Sequence, residues 1–394
     1  MLPERIAIVG GGPAGAFAAA SLACAHREVV LFDEKLAWEK PCGGGLTDKA
    51  LSRWPFLRDA AVERNLISDC ELIAPSGAKV RLSLDRQIAI FSRLALNGAL
   101  LDRAQCSGAK VLRERILRVE QKHGAWLIHS ASSQYEADFL VLATGARNSF
   151  RSIFSRNLGP ENFMVAAGYY IPGTSATVQI KFIEGLHGYV WIFPRANHFS
   201  AGICGRMHGK STAELRQLLE SCLPKFGLSH EKGSFYAHIL PSLAPEALRN
   251  SQVCGDGWAM LGDAAGLVDA ITGEGLYYAL RSAEMFSEAF LSGVPETYAA
   301  AVEREILPEL ELAARIADRF YAGDWLGGSV LERMVQLTGS STKFRKLMRD
   351  LFSGTQEYSN LKQRVYRSLP RIAAEALVST LWRSEPGAEA AAAD

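Results

Sequence analysis

At 394 residues the chain is long enough for two joined domains, and its 48% of hydrophobic residues can fill sizeable cores. Forty-three basic residues against 42 acidic ones leave a net charge of +1, so no global field points to nucleic acid as a partner. The seven cysteines (24, 42, 70, 106, 204, 222, 254) form no CxxC pair and are odd in number, which argues against a zinc site and for a reduced, cytoplasmic setting.

The first element is Arg5 to Val9, whose apolar run Ile6-Ala7-Ile8-Val9 reads as a buried parallel strand. It runs into Gly10, Gly12 and Gly15 at GxGxxG spacing, and a helix rich in small residues is expected from Ala14 to Ala25. The first glycine permits a tight turn, the second lets a pyrophosphate approach the backbone, and the third allows close helix-strand contact. Phosphates would then meet the unpaired amides of the helix N-terminus. A second strand, Glu28 to Phe32, delivers Asp33, placed to bind a ribose 2'-hydroxyl eighteen residues after Gly15. Glycines within the apolar stretch and Asp33 beyond it argue against a secretory signal.

Pro41-Cys42-Gly43-Gly44-Gly45 suits neither a helix interior nor a stable strand, so it is either a surface turn or a loop built for close approach to a ligand. Cys70 to Leu84 forms a hairpin about Pro75-Ser76-Gly77 and begins a second domain. Arg93 follows an apolar strand, Ile88 to Phe91, and opens a helix stopped by Gly108. It could cap, pair on the surface, or contact a phosphate. Three more strands are expected at Lys110 to Val119, Ala125 to Ser130 and Glu136 to Ala143, the last ending in Thr144-Gly145 on the side of the sheet where the glycine turn lies.

From Phe163 to Leu240 strands dominate, with a helical insert at Ser211 to Cys222. Tyr189, Trp191 and Phe193 alternate along one of them, as core or as a ligand wall. Gly257 to Leu261 returns to the first sheet and delivers Asp263, and the turn Thr272-Gly273-Glu274-Gly275 opens a long amphipathic helix. Asp263 and the helix N-terminus near Gly275 are placed to meet one ligand. Val294 to Trp382 is helical and carries Lys343, Arg345, Lys346, Arg349, Lys362, Arg364, Arg367 and Arg371, a solvated face or a surface for anionic lipid or an acidic protein. Pro386 to Asp394 is a low-complexity tail expected to be disordered. No apolar stretch approaches the roughly 20 residues of a membrane-spanning helix.

Taken together, GGGPAGA at Gly10, KPCGGGL at Lys40, Arg93 with its helix, ATGARNSFR at Ala143, YVWIFP at Tyr189 and GDAAGLVDAITGEGLYYAL at Gly262 make the chain resemble the geranylgeranyl reductase family of FAD-dependent oxidoreductases, within the group sharing the para-hydroxybenzoate hydroxylase fold. The resemblance covers roughly the first three quarters of the chain. It implies an α/β architecture: a Rossmann-type FAD-binding domain (1–68, 88–160 and 250–300), a sheet-rich substrate domain (69–87 and 161–249) and C-terminal helices (301–385) ahead of the tail (386–394). It implies FAD held by Gly10, Gly12, Ala14, Gly15 and Asp33, by Arg93 on the phosphate or adenine side, by the strand near Leu117, and by Gly145 and Asp263. Gly273, Gly275 and Leu276 would meet the pyrimidine end of the flavin, and Cys42, Gly43 and Gly44 would lie beside it. Tyr189, Trp191 and Phe193 would line an apolar substrate cavity.

The function this implies is reduction of carbon-carbon double bonds in a prenyl chain, with Cys42 as candidate proton donor and NADPH, ferredoxin or another carrier as electron donor. Peripheral membrane contact and an electron-donor protein are open partners, and no metal is expected. Two departures bear on the alternatives. Thr144-Gly145 stands where the hydroxylases have Asp-Gly, and YVWIFP stands where halogenases carry WxWxIP. A flavin-dependent monooxygenase of a hydrophobic small molecule is the main alternative, with a halogenase or a non-catalytic electron-transfer flavoprotein behind it.

Overall fold

The run from Ile6 to Val9 is apolar on both faces, so a strand built from it must be covered on both sides, and it lies inside a six-stranded sheet. In spatial order the strands are Cys254–Gly255, Trp258–Met260, Phe139–Leu142, Arg5–Val9, Glu28–Phe32 and Lys110–Leu112. All pairs are parallel except that of the edge strand Cys254–Gly255. The chain leaves Val9 toward Glu28–Phe32 on one side while Phe139–Leu142 lies on the other. The carboxyl end of Arg5–Val9 is therefore the point at which an open sheet presents a crevice. The computed structural model describes residues 4–58, 62–207, 209–325 and 327–383. The tail expected to be disordered, 386–394, lies outside them.

Backbone geometry at the crevice requires glycine. Gly10 has φ +110°, and a Cβ there would stand 2.2 Å from the carbonyl oxygen of Ala143. A Cβ on Gly15 would stand 1.9 Å from the carbonyl oxygen of Gly10, so the helix Pro13–Cys24 sits directly on the turn. That helix packs against Arg93–Cys106 and Leu276–Leu291. Alanines at 16, 18, 19 and 20, at most 3% exposed, permit the approach.

Two strand readings are corrected by how the chain changes sheets. Lys110 to Val119 is two strands: Lys110–Leu112 completes the six-stranded sheet, and Arg118–Lys122 joins Ala125–His129 and Gln134–Ala137 in a separate three-stranded sheet. Between them, Arg113 donates to the carbonyl of Glu34 at 3.3 Å and Arg115 pairs with its carboxylate at 3.6 Å, holding the link to the chain beyond Glu28–Phe32. Glu136 to Ala143 is likewise divided at Asp138. Its carboxylate accepts from the amides of Glu4 and Arg5 at 3.2 and 3.0 Å and pairs with the Arg5 guanidinium at 2.6 Å, steering the chain from the small sheet into Phe139–Leu142. The indole of Trp126 donates to Gly257 O at 2.7 Å and docks the small sheet.

The second large sheet has eight strands in the order Ser234–Pro241, Phe163–Pro172, His198–Arg206, Tyr189–Pro194, Thr177–Phe182, Arg64–Ile73, Lys79–Phe91 and Gly45–Leu46. The hairpin expected at Cys70 to Leu84 forms, but its strands are longer. Ile88 to Phe91 is the far end of Lys79–Phe91 rather than a strand of the first sheet, so the bound drawn at residue 87 falls inside a strand. That end pairs with Gly45–Leu46, which brings the Pro41–Gly45 loop to the edge of the second sheet.

One face of this sheet is closed by the helix Thr212–Cys222, and the opposite face, which carries Tyr189 and Phe193, is closed further along by Val330–Ser340 and Thr342–Phe352. The basic C-terminal residues are mostly engaged within the fold. Arg349 pairs with Asp85 at 3.0 Å, Arg364 and Lys346 with Asp350 at 2.5 and 3.5 Å, and Arg371 with Glu375 at 3.3 Å. Arg345 donates to the carbonyls of Thr338 and Gly339 at 3.0 and 2.8 Å. Among the described residues, no helix is long and apolar enough to cross a membrane.

Gly10→Ala combines a positive φ with a backbone clash that no side-chain adjustment relieves. We expect it to lower stability by roughly 3 kcal/mol or more, read as the urea midpoint, whereas Gly77→Ala, in an open turn at φ +96°, costs only about 1 kcal/mol.

Candidate functional site

Between the two large sheets lies a crevice whose floor is the glycine turn. At Gly12 the backbone is extended and a Cβ would meet nothing within 4 Å, so the space above the helix N-terminus is open. The amides of Ala14 and Gly15 precede the first intrahelical bond, from Ala16 N to Gly12 O, and are free to face an anion. Asp33 accepts from the amides of Gly11, Lys35 and Leu36 at 2.7, 2.8 and 2.7 Å, which fixes the carboxylate beside the turn. A carboxylate has about four acceptor positions, so room for one hydroxyl remains.

Arg93 is 4% exposed, and its guanidinium has one protein acceptor among the described residues, Asn97 Oδ1 at 3.4 Å. Asp263 lies 3.6 Å from the Lys40 ammonium, and its Oδ1 stands 3.0 Å from where a Gly275 Cβ would begin. Asp263, Gly275 and the amide of Leu276 thus converge. Gly145, at φ +76°, lies on the same side, 3.6 Å by the same measure from Lys40 Nζ. Leu117 falls in the extended link before Arg118–Lys122, is 56% exposed, and gives its amide to His129 O at 2.8 Å. The backbone beside Asp33 on that edge is instead Leu112, whose carbonyl accepts the Asp33 amide at 3.1 Å.

The turn from Thr272 to Gly275 is folded by a residue the sequence reading passed over. Asp269, 3% exposed, accepts from the amides of Ile271 and Thr272 at 2.7 and 2.9 Å. The hydroxyls of Tyr321 and Tyr189 hold the carbonyls of Ile271 and Thr272. Burial, then the neighbouring Asp269, pushes the Glu274 carboxyl up to about 7, against the opposing pull of Lys49.

The Cys42 loop is fastened to the second sheet. Arg195, directly after the YVWIFP strand, is 0% exposed; it pairs with Glu39 and donates to the carbonyl of Cys42 at 2.7 Å. Glu39 also accepts from Ser92 Oγ at 2.5 Å and from the Arg93 amide at 2.8 Å, so one carboxylate ties the loop to the N-cap of the Arg93 helix. Burial opposes its ionisation, but Arg195, Ser92 and Arg93 together hold the carboxyl below its usual range. Ser200 Oγ donates to the Cys42 carbonyl at 2.8 Å and lies 2.9 Å from the hydroxyl of Tyr236 and 3.3 Å from the indole nitrogen of Trp191.

Tyr189, Trp191 and Phe193 share one face of their strand. Phe193 lies on Gly43, where a Cβ would be 2.8 Å from the ring, and Trp191 lies flat on Gly202, where it would be 2.2 Å away. Met164, Cys204 and Tyr236 complete this apolar cluster. The motif aromatics are therefore brought onto the Cys42 loop and the Thr272–Gly275 turn. Glu39, Arg195, Ser200, Tyr236 and His238 were not singled out from the sequence, and Lys40 entered only as the first residue of a motif. The one usable signal was a charged residue, Arg195, ending an aromatic strand.

These residues fit a flavin dinucleotide. The cradle above Gly12 is open, the Arg93 guanidinium is buried with little to bind, and two buried polar atoms, Thr144 Oγ1 just before Gly145 and His238 Nε2, have no protein partner. Among the described residues, no group of three or more His, Cys, Asp or Glu side chains could hold a metal ion.

Residues 4–155 match the family model of pyridine nucleotide-disulphide oxidoreductases. The chain is 28% identical to a chloroplastic geranylgeranyl diphosphate reductase of Oryza sativa subsp. japonica, over 73% of this chain and 66% of that protein, a little under two thirds of its length. It is 26% identical to a geranylgeranyl diphosphate reductase of Synechocystis sp., over 86% of each. A geranylgeranyl bacteriochlorophyll reductase-like protein from Thermoplasma acidophilum superposes with a TM-score of 0.77 at 18% identity, over 95% of this chain and 99% of that one. The resemblance and the α/β flavoprotein fold read from the motifs are borne out.

Removing Arg195 leaves the partly buried Glu39 carboxylate with only the Ser92 hydroxyl and the Arg93 amide, and without a counter-charge. Arg195→Met is expected to destabilise by about 3 kcal/mol in urea unfolding, and adding Glu39→Gln to recover much of the loss. The folded carboxyl titrates below its ordinary value of about 4.5, so the unfolded chain binds this proton first as pH falls. The contribution is complete above that pH and is lost as pH drops through the folded value. Glu39→Gln should flatten this acid limb of the stability profile.

Proposed function

We propose that the chain, an FAD-dependent oxidoreductase similar to the geranylgeranyl reductases, saturates carbon-carbon double bonds of a prenyl chain. The observation that carries this reading is the wall opposite the glycine turn. Half-buried Tyr189 and Phe193, backed by buried Trp191 and Met164, form an apolar cluster directly on the Cys42 loop, where a long hydrocarbon gains from burial and needs no ionic partner.

When bound and reduced, FAD supplies a hydride. The protein's own residues position and enclose. Gly10, Gly12, Ala14 and Gly15 receive the pyrophosphate, Asp33 the ribose, Arg93 the phosphate side, and Asp263 and Gly145 the ribityl region, while Gly273, Gly275 and Leu276 offer amides to the pyrimidine end. Tyr189, Trp191 and Phe193 hold the hydrocarbon against the loop and exclude water. Cys42 is the proposed proton donor. Its sulfur accepts from the Gly44 amide at 3.3 Å, which directs the thiol along the loop that Phe193 covers. NADPH or another carrier, docking transiently, delivers the electrons.

The monooxygenase reading shares the fold. Tyr189 and Phe193 in place of the tryptophan and isoleucine of WxWxIP count against halogenation. Anaerobic reduction with dithionite followed by geranylgeranyl diphosphate or a prenylquinone separates the remaining readings. We expect flavin reoxidation with a gain of two mass units per bond. Reduced protein that ignores both substrates but reacts rapidly with oxygen would replace this proposal with the monooxygenase. Cys42→Ser should slow substrate-dependent reoxidation by roughly 10²-fold without changing flavin content, since positioned proton donors contribute on that scale; unchanged turnover would remove Cys42 from the chemistry.

A further inference from the structure

The strand Ser234–Pro241 turns Tyr236, His238 and Leu240 to the crevice. At one end, Tyr236 bonds Ser200, which holds the carbonyl of Cys42. At the other, Leu240 Cδ1 stands 3.3 Å from where a Gly273 Cβ would begin. His238 lies between them, opposite Ala166 on the neighbouring strand, and so between the two loops that flank the flavin in the reading above. Its Nε2 is shielded from water and has no hydrogen-bond partner in the protein. A buried ring nitrogen left unpaired is costly, and native proteins seldom tolerate one without a ligand or water to complete it.

The charged groups facing this imidazole are Lys40, Asp263, Arg147 and Arg93. Asp263 and Arg147 follow strands of the first sheet, Lys40 opens the Cys42 loop and Arg93 opens the helix Arg93–Cys106; none comes from the aromatic wall. Burial and the cationic majority among these neighbours keep the ring neutral, with its folded value lowered to about 4. A neutral imidazole offers one donor or one acceptor at Nε2, which suits a hydroxyl or a ring heteroatom better than a hydrocarbon. We propose that His238 is a further cofactor ligand, reaching across from the second sheet to hydrogen-bond a polar atom of the bound FAD through Nε2. The bond would join the two sheets through the cofactor. This inference rests on the reading that FAD occupies the crevice.

The test is FAD affinity, measured by titrating the deflavinated protein and following quenching of flavin fluorescence. His238→Ala is expected to raise Kd about tenfold and to shift the bound flavin's absorption spectrum, while the melting temperature of the FAD-free protein stays within a degree or two or rises. His238→Gln, which keeps a donor and an acceptor, should stay within about threefold of the wild type. If the alanine variant does not fold, His238→Asn, too short to reach, carries the same expectation. A Kd for His238→Ala within twofold of the wild type overturns the proposal, as does an effect confined to the KM for a prenyl substrate. Failure of the wild-type protein itself to bind FAD would instead remove the reading beneath it.

Discussion

The buried pair between Glu39 and Arg195 holds the two halves of the molecule in register. Glu39 belongs to the segment that leaves the first sheet after Asp33, and Arg195 ends the aromatic strand of the second. Through Ser92 and the Arg93 amide the same carboxylate reaches the helix that presents Arg93 to the crevice. Through the Cys42 carbonyl the same guanidinium fixes the loop that the aromatic wall covers. A pair so placed need not add net stability over an apolar substitute. Its value is geometric: it determines how far the wall stands from the floor, and hence what can lie between them.

The aromatic wall depends on glycine as much as on aromatic rings. Trp191 lies flat because Gly202 has no side chain, and Tyr236 does the same on Gly168, where a Cβ would stand 2.4 Å from its hydroxyl. Large rings pressed against a sheet leave an apolar surface without filling the space in front of it. Ser200, 0% exposed, accepts from the Trp191 indole and hydrogen-bonds the Tyr236 hydroxyl, and so pins the rings in one orientation. The opposite side of the crevice carries the polar and cationic groups. The site is therefore divided by chemistry into a charged half suited to a dinucleotide and an apolar half suited to hydrocarbon.

The Thr272–Gly275 turn illustrates a second kind of coupling. Asp269 folds it from within, but its carbonyls are gripped from outside by Tyr189 of the aromatic strand and Tyr321 of the C-terminal helices. Those helices also cover the far part of the same sheet face that carries Tyr189 and Phe193, through Leu331, Val335, Leu347 and Met348. They support the site without lining it, and their basic residues serve mainly to hold them there.

The amino-acid sequence by itself determined the elements whose signals are local. The strand, glycine turn and helix from Arg5 to Cys24, the strand before Asp33 and the alternation of Tyr189, Trp191 and Phe193 follow from spacing and from φ values that glycine tolerates. So does the pairing of Asp263 with the Gly275 turn, because both lie in one short motif. Tertiary structure decided what depends on distant partners. The division at Asp138 comes from residues 4 and 5, and the run-on of Ile88 to Phe91 into a longer strand comes from pairing with Gly45–Leu46. Glu39, Arg195, Ser200 and His238 are isolated polar residues in sequence. The first three become one hydrogen-bonded cluster only when the fold brings the Cys42 loop onto the second sheet, and His238 is placed beside them by the pairing of Ser234–Pro241 with Phe163–Pro172.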